Sequence, residues 1–333
     1  MRLLALFLTL WPALASAQSD WLSLPVPQPL TPGARAEVGV AVRTGESYWW
    51  AQGDTQARYT DALGLTQTTL KTVELALLLR AKLGSTLVLE LETPLQFNEL
   101  SPYLEGGAVH TLQDPTALRQ QGLGDLRLSL RGPLFGGPGG LQAGWSAGVV
   151  APSGQGPFDS ATTLVATGQG RWQALLGLVF GGGEDAALET WLWAQGRWQA
   201  PRPAWVSSQA WLSYDGGRDH ALPRGPLNSG SVMLDPRWGA DASAGLAWNW
   251  HRDGETRHSL AVELLGHGLT AWSMDGQDQG LGPEGAWYVQ PELIARFGRF
   301  NACGGWRSAA LPGSYNVPYF YYGTVLVNAA YAF

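Results

Sequence analysis

The sequence is poor in charged side chains, in cysteine and in long apolar runs, and each shortage excludes a class of protein. Charged residues make up 14% of the 333 residues, whereas soluble domains average about 25%, so much of the folded surface is predicted not to face water. Cys303 is the only cysteine, which excludes an intrachain disulfide. The longest apolar run near the middle of the chain, 75–79, lies between Glu74 and Arg80 and is far shorter than the roughly 18 residues of a spanning helix.

Features that would support nucleic-acid binding, metal binding or catalysis are also scarce. The formal net charge is -6, whereas nucleic-acid binding needs a basic surface. The five histidines lack the spacing of a zinc site, and no serine motif accompanies them to form a nucleophile–base pair. We therefore expect no metal, no cofactor, no nucleic-acid partner, no catalytic residues and no enzymatic activity.

The first 35 residues divide into two segments. Arg2 is followed by an apolar segment, 3–13, and then by Ala15-Ser16-Ala17, which is the pattern of a secretory signal peptide. We predict that residues 1–17 are a signal peptide cleaved after Ala17 and that the protein is exported. Residues 18–35 contain four prolines, which do not fit the interior of a sheet, so this segment is predicted to be a periplasmic tail or a plug, with both open.

From residue 36 onward, apolar and polar residues alternate with the period of two that is typical of β-strands. The segment Asp125-Leu-Arg-Leu-Ser-Leu-Arg131 interleaves three leucines with four polar residues. Repeated alternation of leucine with charged residues fits a membrane barrel better than a soluble sandwich, because glutamate and arginine are tolerated when they face a wet lumen. We therefore predict that residues 36–333 form an all-β, antiparallel, up-and-down transmembrane β-barrel.

The spacing of turn residues gives a strand count. Short connections are predicted near 83–85, 135–140, 171–173, 199–203, 252–257 and 299–303, and long ones near 44–64, 97–122, 152–161, 181–186, 215–236, 273–285 and 311–319. The two kinds alternate, as short periplasmic turns and longer extracellular loops do in outer-membrane barrels. Thirteen connections predict about 14 strands, with 12 as the alternative.

The end of the chain resembles the closing strand of bacterial outer-membrane β-barrels. The residues at every second position back from Phe333 are mostly apolar or aromatic, among them Tyr331, Val327 and Val325, while Asn328 and Thr324 fall on the other face. The resemblance implies that Tyr331 and Phe333 belong to the signal read by the barrel-insertion machinery. It also implies that the protein resides in the bacterial outer membrane.

Three short motifs resemble a narrower family. They are Glu92-Thr-Pro-Leu95, Gly122-Leu-Gly-Asp-Leu-Arg-Leu-Ser-Leu130 and Val150-Ala-Pro-Ser-Gly154. These segments are similar to outer-membrane proteins associated with phenol meta-pathway degradation and their uncharacterised relatives, which are grouped loosely with the fatty-acid channel barrels. Ser153 stands where the family pattern has threonine. The resemblance implies uptake of small hydrophobic or aromatic molecules.

The alternation assigns one set of charged residues to the lumen. These residues are predicted to form a network of ion pairs that holds the barrel together, or alternatively a charged constriction that selects what passes. They are Glu37, Arg43, Glu74, Arg80, Glu90, Glu92, Asp125, Arg127 and Arg131.

Four tryptophans are predicted to point inward in the second half of the chain. Trp191 and Trp193 share the parity of Glu189, Gln195 and Arg197, and Trp205 and Trp211 share that of Ser207 and Gln209. These indoles would form an aromatic surface for an apolar or aromatic ligand. The alternative is that they fill the lumen, or that a shifted register places them in the aromatic girdle at the membrane interface.

These observations predict a monomeric outer-membrane channel for passive uptake of small hydrophobic or aromatic compounds. Its expected partners are outer-membrane lipid, lipopolysaccharide and the barrel-insertion machinery. The alternative is a structural or surface-interaction barrel with a filled lumen, and a lipid-modifying barrel enzyme is the least favoured interpretation.

Overall fold

The computed structural model describes a β-structure over most of the chain from residue 33 to residue 333. The described residues are 33–52, 55–58, 69–101, 118–136, 141–156, 167–182, 187–206, 230–253, 256–271, 273–278, 283–309 and 317–333. Within these ranges no helix is long and apolar enough to cross a membrane. The predicted signal peptide and nearly all of the proline-rich segment, residues 18–35, lie outside the described residues.

Eighteen strands are present in the described ranges, and twelve of them form the closed ring of the barrel. The first nine are β1 (Ala36–Gln52), β2 (Thr55–Arg58), β3 (Thr69–Leu83), β4 (Leu87–Ser101), β5 (Leu118–Leu123), β6 (Leu126–Phe135), β7 (Gln142–Ala151), β8 (Gln173–Gly182) and β9 (Leu188–Gln199). The others are β10 (Arg202–Val206), β11 (Gly230–Leu234), β12 (Arg237–Asp253), β13 (Thr256–Leu269), β14 (Ser273–Met274), β15 (Gln277–Asp278), β16 (Glu284–Phe297), β17 (Phe300–Ala309) and β18 (Val317–Ala332).

The main sheet closes into a barrel of twelve antiparallel strands. Its order is β18-β17-β16-β13-β12-β9-β8-β7-β6-β4-β3-β1, and β18 pairs with β1 to complete the ring. The closing pair places Glu37 opposite Ala332 and Arg43 opposite Leu326. Strand β5 continues β6 along the edge of β4, and β2 pairs antiparallel with the last residues of β1. Closure leaves no free sheet edge, and the predicted fold class is confirmed.

The barrel has twelve strands, the lower of the two counts, and this corrects the predicted turns at 171–173 and 199–203. Strand β8 begins at Gln173, and β9 pairs directly with β12 over the whole length from Leu188 to Gln199. Strand β10, which follows Gln199, belongs to a separate four-stranded sheet with β11, β14 and β15. The alternation in this segment therefore comes from a small sheet outside the barrel ring.

The two ends of the barrel differ. Short connections such as those between β3 and β4 and between β16 and β17 lie at one end, the turn end, where the amide of Arg35 also donates to the carbonyl of Phe333. The small four-stranded sheet lies at the opposite end, the loop end, because its strands follow β9 and β13 and precede β12 and β16. The loop end therefore carries most of the extra structure.

The barrel wall is apolar outside and polar inside. On β1 the side chains of Val38, Val40 and Val42 are exposed, while Glu37 and Arg43 are buried. On β3 the leucines 75, 77 and 79 are likewise exposed and Glu74 is fully buried. A soluble barrel would have the reverse arrangement, whereas an apolar exterior fits the hydrocarbon of a bilayer.

Pro291 interrupts one ladder of the barrel, as its missing N–H requires. The pairing between β16 and β17 runs through Val289–Ser308 and resumes at Glu292–Gly305, so Gln290 and Pro291 have no registered partner on β17. On its other side Pro291 stays in register with Val262 of β13. The sheet therefore accommodates Pro291 with a local gap in the ladder between β16 and β17, and β16 remains a barrel strand.

Candidate functional site

Arg43 is the centre of a buried ion cluster on the inner face of β1, β3 and β4. Its Nη1 atom contacts a carboxylate oxygen of Glu74 and lies 2.8 Å from Oε1 of Glu92. The side-chain amide of Gln96 donates to Oε2 of Glu74 at 2.8 Å. Glu74 is 0% exposed and Glu92 2%, so two almost completely buried carboxylates share one guanidinium.

A second ion cluster lies closer to the turn end. Arg80 donates to Oε2 of Glu90 at 2.8 Å and lies 3.4 Å from Oε2 of Glu37. Arg131 approaches the same Glu90 oxygen at 3.3 Å from the neighbouring strand. Two guanidiniums and two carboxylates thus join β1, β3, β4 and β6 across the inner wall.

A third group of polar residues faces these clusters from β9, β12 and β13. Asp241 receives hydrogen bonds from Arg197 at 2.8 Å and from Gln195 at 3.1 Å, and it also contacts Nδ1 of His267. Arg127 on β6 donates to Gln195 on β9 at 3.3 Å. Because β7 and β8 stand between these two strands in the sheet order, this bond spans the concave inner face of the barrel.

Sequence reasoning missed the Asp241 group. Asp241 lies on the polar face of an alternating strand, which is the available signal, but nothing in the sequence indicates that His267 is its partner. The two residues are directly opposite each other on β12 and β13, a register that the sequence alone does not give.

Trp191 and Trp193 both lie on the inner face of β9. Trp191 is level with Gly245 on β12, and Gly245 is level with Glu263 on β13. The indole of Trp191 covers Gly245, and its Nε1 donates to Oε1 of Glu263 at 3.1 Å. Trp193 is 2% exposed and stands opposite Ser243.

The other two predicted tryptophans do not join them. Trp205 lies on β10 in the small sheet at the loop end and is 63% exposed, while the adjacent Ala204 is buried. The prediction of an inward Trp205 was wrong, because β10 is not a barrel strand and its parity does not follow that of β9. Trp211 lies outside the described residues.

Asp125 has a different role from the one predicted. Its Oδ1 accepts a hydrogen bond from the backbone N–H of Gly154 at 3.0 Å, and its Oδ2 accepts one from that of Gln169 at 2.6 Å. Asp125 therefore fixes both ends of the connection between β7 and β8 at the loop end. We call Asp125, Ser153, Gly154, Gly168 and Gln169 the loop anchor.

The three motifs that carry the family resemblance meet at the loop anchor. A Cβ atom on Gly124 would lie 2.8 Å from Pro94, and one on Gly154 would lie 2.9 Å from the Cα of Gly168, so both positions require glycine. The hydroxyl of Ser153 donates to the carbonyl of Gly124 at 2.6 Å and accepts from the amide of Leu126 at 2.9 Å. Serine thus supplies the hydroxyl that threonine would supply.

The terminal aromatic residues lie on the outer face at the turn end. Tyr331 and Phe333 are both exposed, and their rings meet edge to face with centroids 5.1 Å apart. This is an accessible position on the barrel exterior.

The inner face of the barrel therefore carries opposed charges and one aromatic side. Among the described residues, no group of three or more His, Cys, Asp or Glu side chains could hold a metal ion. The arrangement can hydrogen-bond and discriminate a small solute by charge and shape.

Replacing Gly245 by alanine is expected to displace Trp191. The added Cβ would overlap the indole of Trp191, so the ring must rotate away and its hydrogen bond to Glu263 is lost. Overpacking of this kind costs about 1–3 kcal/mol, which urea unfolding of the refolded protein in lipid vesicles would measure. Gly196→Ala is the matched control, since its Cβ would meet only Leu176 O at 3.8 Å. Equal stability of the two variants would contradict the stacked position of Trp191.

Comparison with solved structures finds one outer-membrane protein with a similar fold and others with weaker similarity. The chain is similar to the crystal structure of an outer membrane channel from Pseudomonas putida F1, with a TM-score of 0.57 and 14% identity over 96% of this chain and 100% of that chain. Weaker similarities include the NanC porin, with a TM-score of 0.41 and 8% identity over 90% of this chain and 100% of that one. The beta domain of the Bordetella autotransporter BrkA gives a TM-score of 0.47 and 10% identity over 90% of this chain and 100% of that one.

At these identities the likeness shows the fold alone. No protein-family model matches the sequence, and no curated protein matches it.

Proposed function

We propose that the protein is a bacterial outer-membrane channel for passive entry of small hydrophobic or aromatic compounds. The observation that carries this proposal is the closed ring of strands with an apolar exterior and an interior lined by ion clusters and by Trp191. The similarity to an outer membrane channel of Pseudomonas putida F1 supports the channel part of the proposal. The aromatic side of the lumen supports the substrate class.

The ion clusters act as a size filter in this proposal. Arg43, Arg80 and Arg131 bind carboxylates on their own side of the lumen, and Arg127 reaches toward Gln195 on the other side. Such pairs hold the side chains at fixed positions, so large or folded solutes are excluded. A flat aromatic solute can slide between the charged side and the face of Trp191.

Lipid and the insertion machinery are the proposed partners. The exposed valines and leucines of β1 and β3 contact lipid acyl chains, and lipopolysaccharide surrounds the loop end. Tyr331 and Phe333, exposed at the turn end, contact the insertion machinery before the barrel closes. A single chain closes its own ring, which fits a monomer.

Transport by the refolded chain in liposomes tests the proposed function. We expect a small aromatic probe to enter faster than into protein-free vesicles, with little steady ion conductance. Trp191→Ala is expected to lower the entry rate by roughly two- to tenfold, since aromatic contacts contribute about 0.5–1.5 kcal/mol. Trp306→Ala, on the outer face, is the control. Steady conductance with unchanged entry in Trp191→Ala would replace this proposal with an open aqueous pore.

A structural barrel with a filled lumen is the second candidate. The observation in its favour is that Glu74, Glu92, Asp241 and Arg307 are all buried although they face inward. In that case neither conductance nor probe entry would occur in folded protein, and activity would depend on the segments at the loop end.

A further inference from the structure

Two inward carboxylates differ from all those in the ion clusters. Glu263 and Glu292 lie on adjacent strands, β13 and β16, and within the described part of the chain neither forms an ion pair. Glu263 is bound by the indole N–H of Trp191 at 3.1 Å, and Glu292 by the side-chain amide of Gln290. Both are thus held by neutral donors, whereas Glu74, Glu90 and Glu92 are held by arginines.

Arg307 is the cationic group that faces these two carboxylates. It donates to Oε1 of Gln290 at 2.7 Å and lies over the ring of Tyr288, 5.9 Å from its centroid. Its single charge can offset at most one of the two carboxylates. The two carboxylates therefore share one guanidinium on this side of the lumen.

An aromatic face lies directly beside this charge. The indole of Trp191 lies against Gly245 on the inner face of the barrel wall, where an added Cβ would overlap its Cζ2 atom. Trp191 retains partial exposure, as does Glu292. An aromatic face next to carboxylates attracts cations, and tryptophan is the strongest of the aromatic side chains in this respect.

An unpartnered donor completes the arrangement. Trp193 follows two residues later on the same inward face, is 2% exposed, and its indole N–H has no hydrogen-bond partner among the residues that the structure describes. Burying a donor without a partner is unfavourable. A hydrogen-bond acceptor on a bound molecule would remove that cost.

We propose that Trp191, Trp193, Glu263 and Glu292 form a binding site for a small organic ammonium ion that also carries a hydrogen-bond acceptor. The ammonium group lies against the face of Trp191 and the two carboxylates, and the acceptor receives the N–H of Trp193. This inference deepens the proposed function by naming the class of solute that enters the lumen. It rests on the proposed function in that respect only.

Calorimetric titration of the refolded full chain in detergent tests the site. The probes are tyramine and 4-ethylphenol, which share the ring and the hydroxyl but differ in the ammonium group. We expect tyramine to bind at least about tenfold more tightly, because a cation–π contact of about 1–2 kcal/mol is added to the charge attraction. Equal affinity for the two probes, or no binding of tyramine to folded protein, would overturn the proposal.

Variants assign the binding to these residues. Glu292→Gln and Glu263→Gln are each expected to weaken tyramine binding by about tenfold and to leave 4-ethylphenol unchanged. Trp191→Phe is expected to weaken tyramine binding by a smaller factor. Glu292 is partly exposed and makes no ion pair, so Glu292→Gln keeps the test valid if Glu263→Gln does not fold.

Two controls are matched in structure. Trp306 covers Gly323 on the outer face as Trp191 covers Gly245 on the inner face, so Trp306→Phe should not change tyramine binding. Glu99, paired with Arg119 at the loop end, is the control carboxylate. A loss of affinity in these controls equal to that in the site variants would contradict the assignment.

Binding in detergent does not require transport. If tyramine binds but no probe crosses liposomes, the channel proposal fails and the site stands. If probes cross but tyramine and 4-ethylphenol bind alike, the site fails and the channel stands.

Discussion

Arg43→Met is expected to destabilise the barrel by about 3–5 kcal/mol, the cost of leaving buried charge without its partner. Arg43 is the one guanidinium that contacts both Glu74 and Glu92 among the described residues, and both carboxylates are almost completely buried. Methionine keeps much of the side-chain volume, so the effect reports the loss of charge and hydrogen bonds rather than a cavity.

Urea unfolding in lipid vesicles, followed by the shift in electrophoretic mobility of the folded barrel, measures this cost. Arg119→Met is the matched control, because Arg119 and Glu99 form an ion pair at 2.8 Å whose side chains are 73% and 34% exposed. An exposed pair contributes about 0–1 kcal/mol. Equal unfolding of the two variants would contradict a buried role for Arg43.

A compensating variant separates charge from packing. Adding Glu74→Gln and Glu92→Gln to Arg43→Met removes the two uncompensated carboxylates, so most of the lost stability is expected to return. Failure to recover would mean that the guanidinium acts through shape or through other contacts.

For the first half of the barrel, the sequence predicts which face of each strand points inward, because charged side chains are unfavourable in lipid. On β1 and β3 the valines and leucines alternate with Glu37, Arg43 and Glu74, and only one orientation keeps the charges out of the bilayer. The same reasoning placed Trp191 and Trp193 inward through Glu189 and Gln195. Period two therefore gives the orientation of a strand wherever one face carries charge.

The number of strands could not be predicted from alternation, since a sheet outside the ring has the same period. Ala204 and Trp205 alternate in burial within β10 as residues of a barrel strand would. What distinguishes β10 is its pairing with β11, and pairing depends on residues distant in sequence. The local pattern carries no information about it.

Contacts across the lumen could not be predicted from the sequence either. The bond between Arg127 and Gln195 joins residues on strands that are not neighbours, and the contact of Asp241 with His267 depends on the register of β12 and β13. The order of the strands and their stagger determine both contacts. A charged residue in an alternating segment can be placed inside, but its partner cannot be named.

The partners of Asp125 could not be named from the sequence either, and replacing Asp125 is expected to have the second large effect. Both of its oxygens accept backbone N–H groups, from Gly154 and Gln169, and hydrogen bonds to a charged group contribute about 1.5–3 kcal/mol each. Asp125→Asn keeps the shape but presents an amide NH₂ to one of these donors. We expect the loop anchor to open while the barrel stays folded.

Hydrogen exchange at Gly154 and Gln169 measures the opening. A loss of about 1.5–3 kcal/mol corresponds to exchange faster by roughly 10- to 150-fold at these two amides, with the amides of β12 and β13 unchanged. Asp275→Asn is the control, since Asp275 accepts from the amide of Met233 at 2.9 Å in an exposed turn of the small sheet.

If Asp125→Asn instead unfolds the whole barrel, the loop anchor is part of the cooperative core rather than a unit that opens locally. The two outcomes differ in what they imply for passage. Because the anchor holds the connection between β7 and β8 at the loop end, a local opening there would not disturb Arg43 or Trp191. Faster probe entry in Asp125→Asn with unchanged tyramine affinity would then place the limiting step at the entrance rather than at the aromatic site.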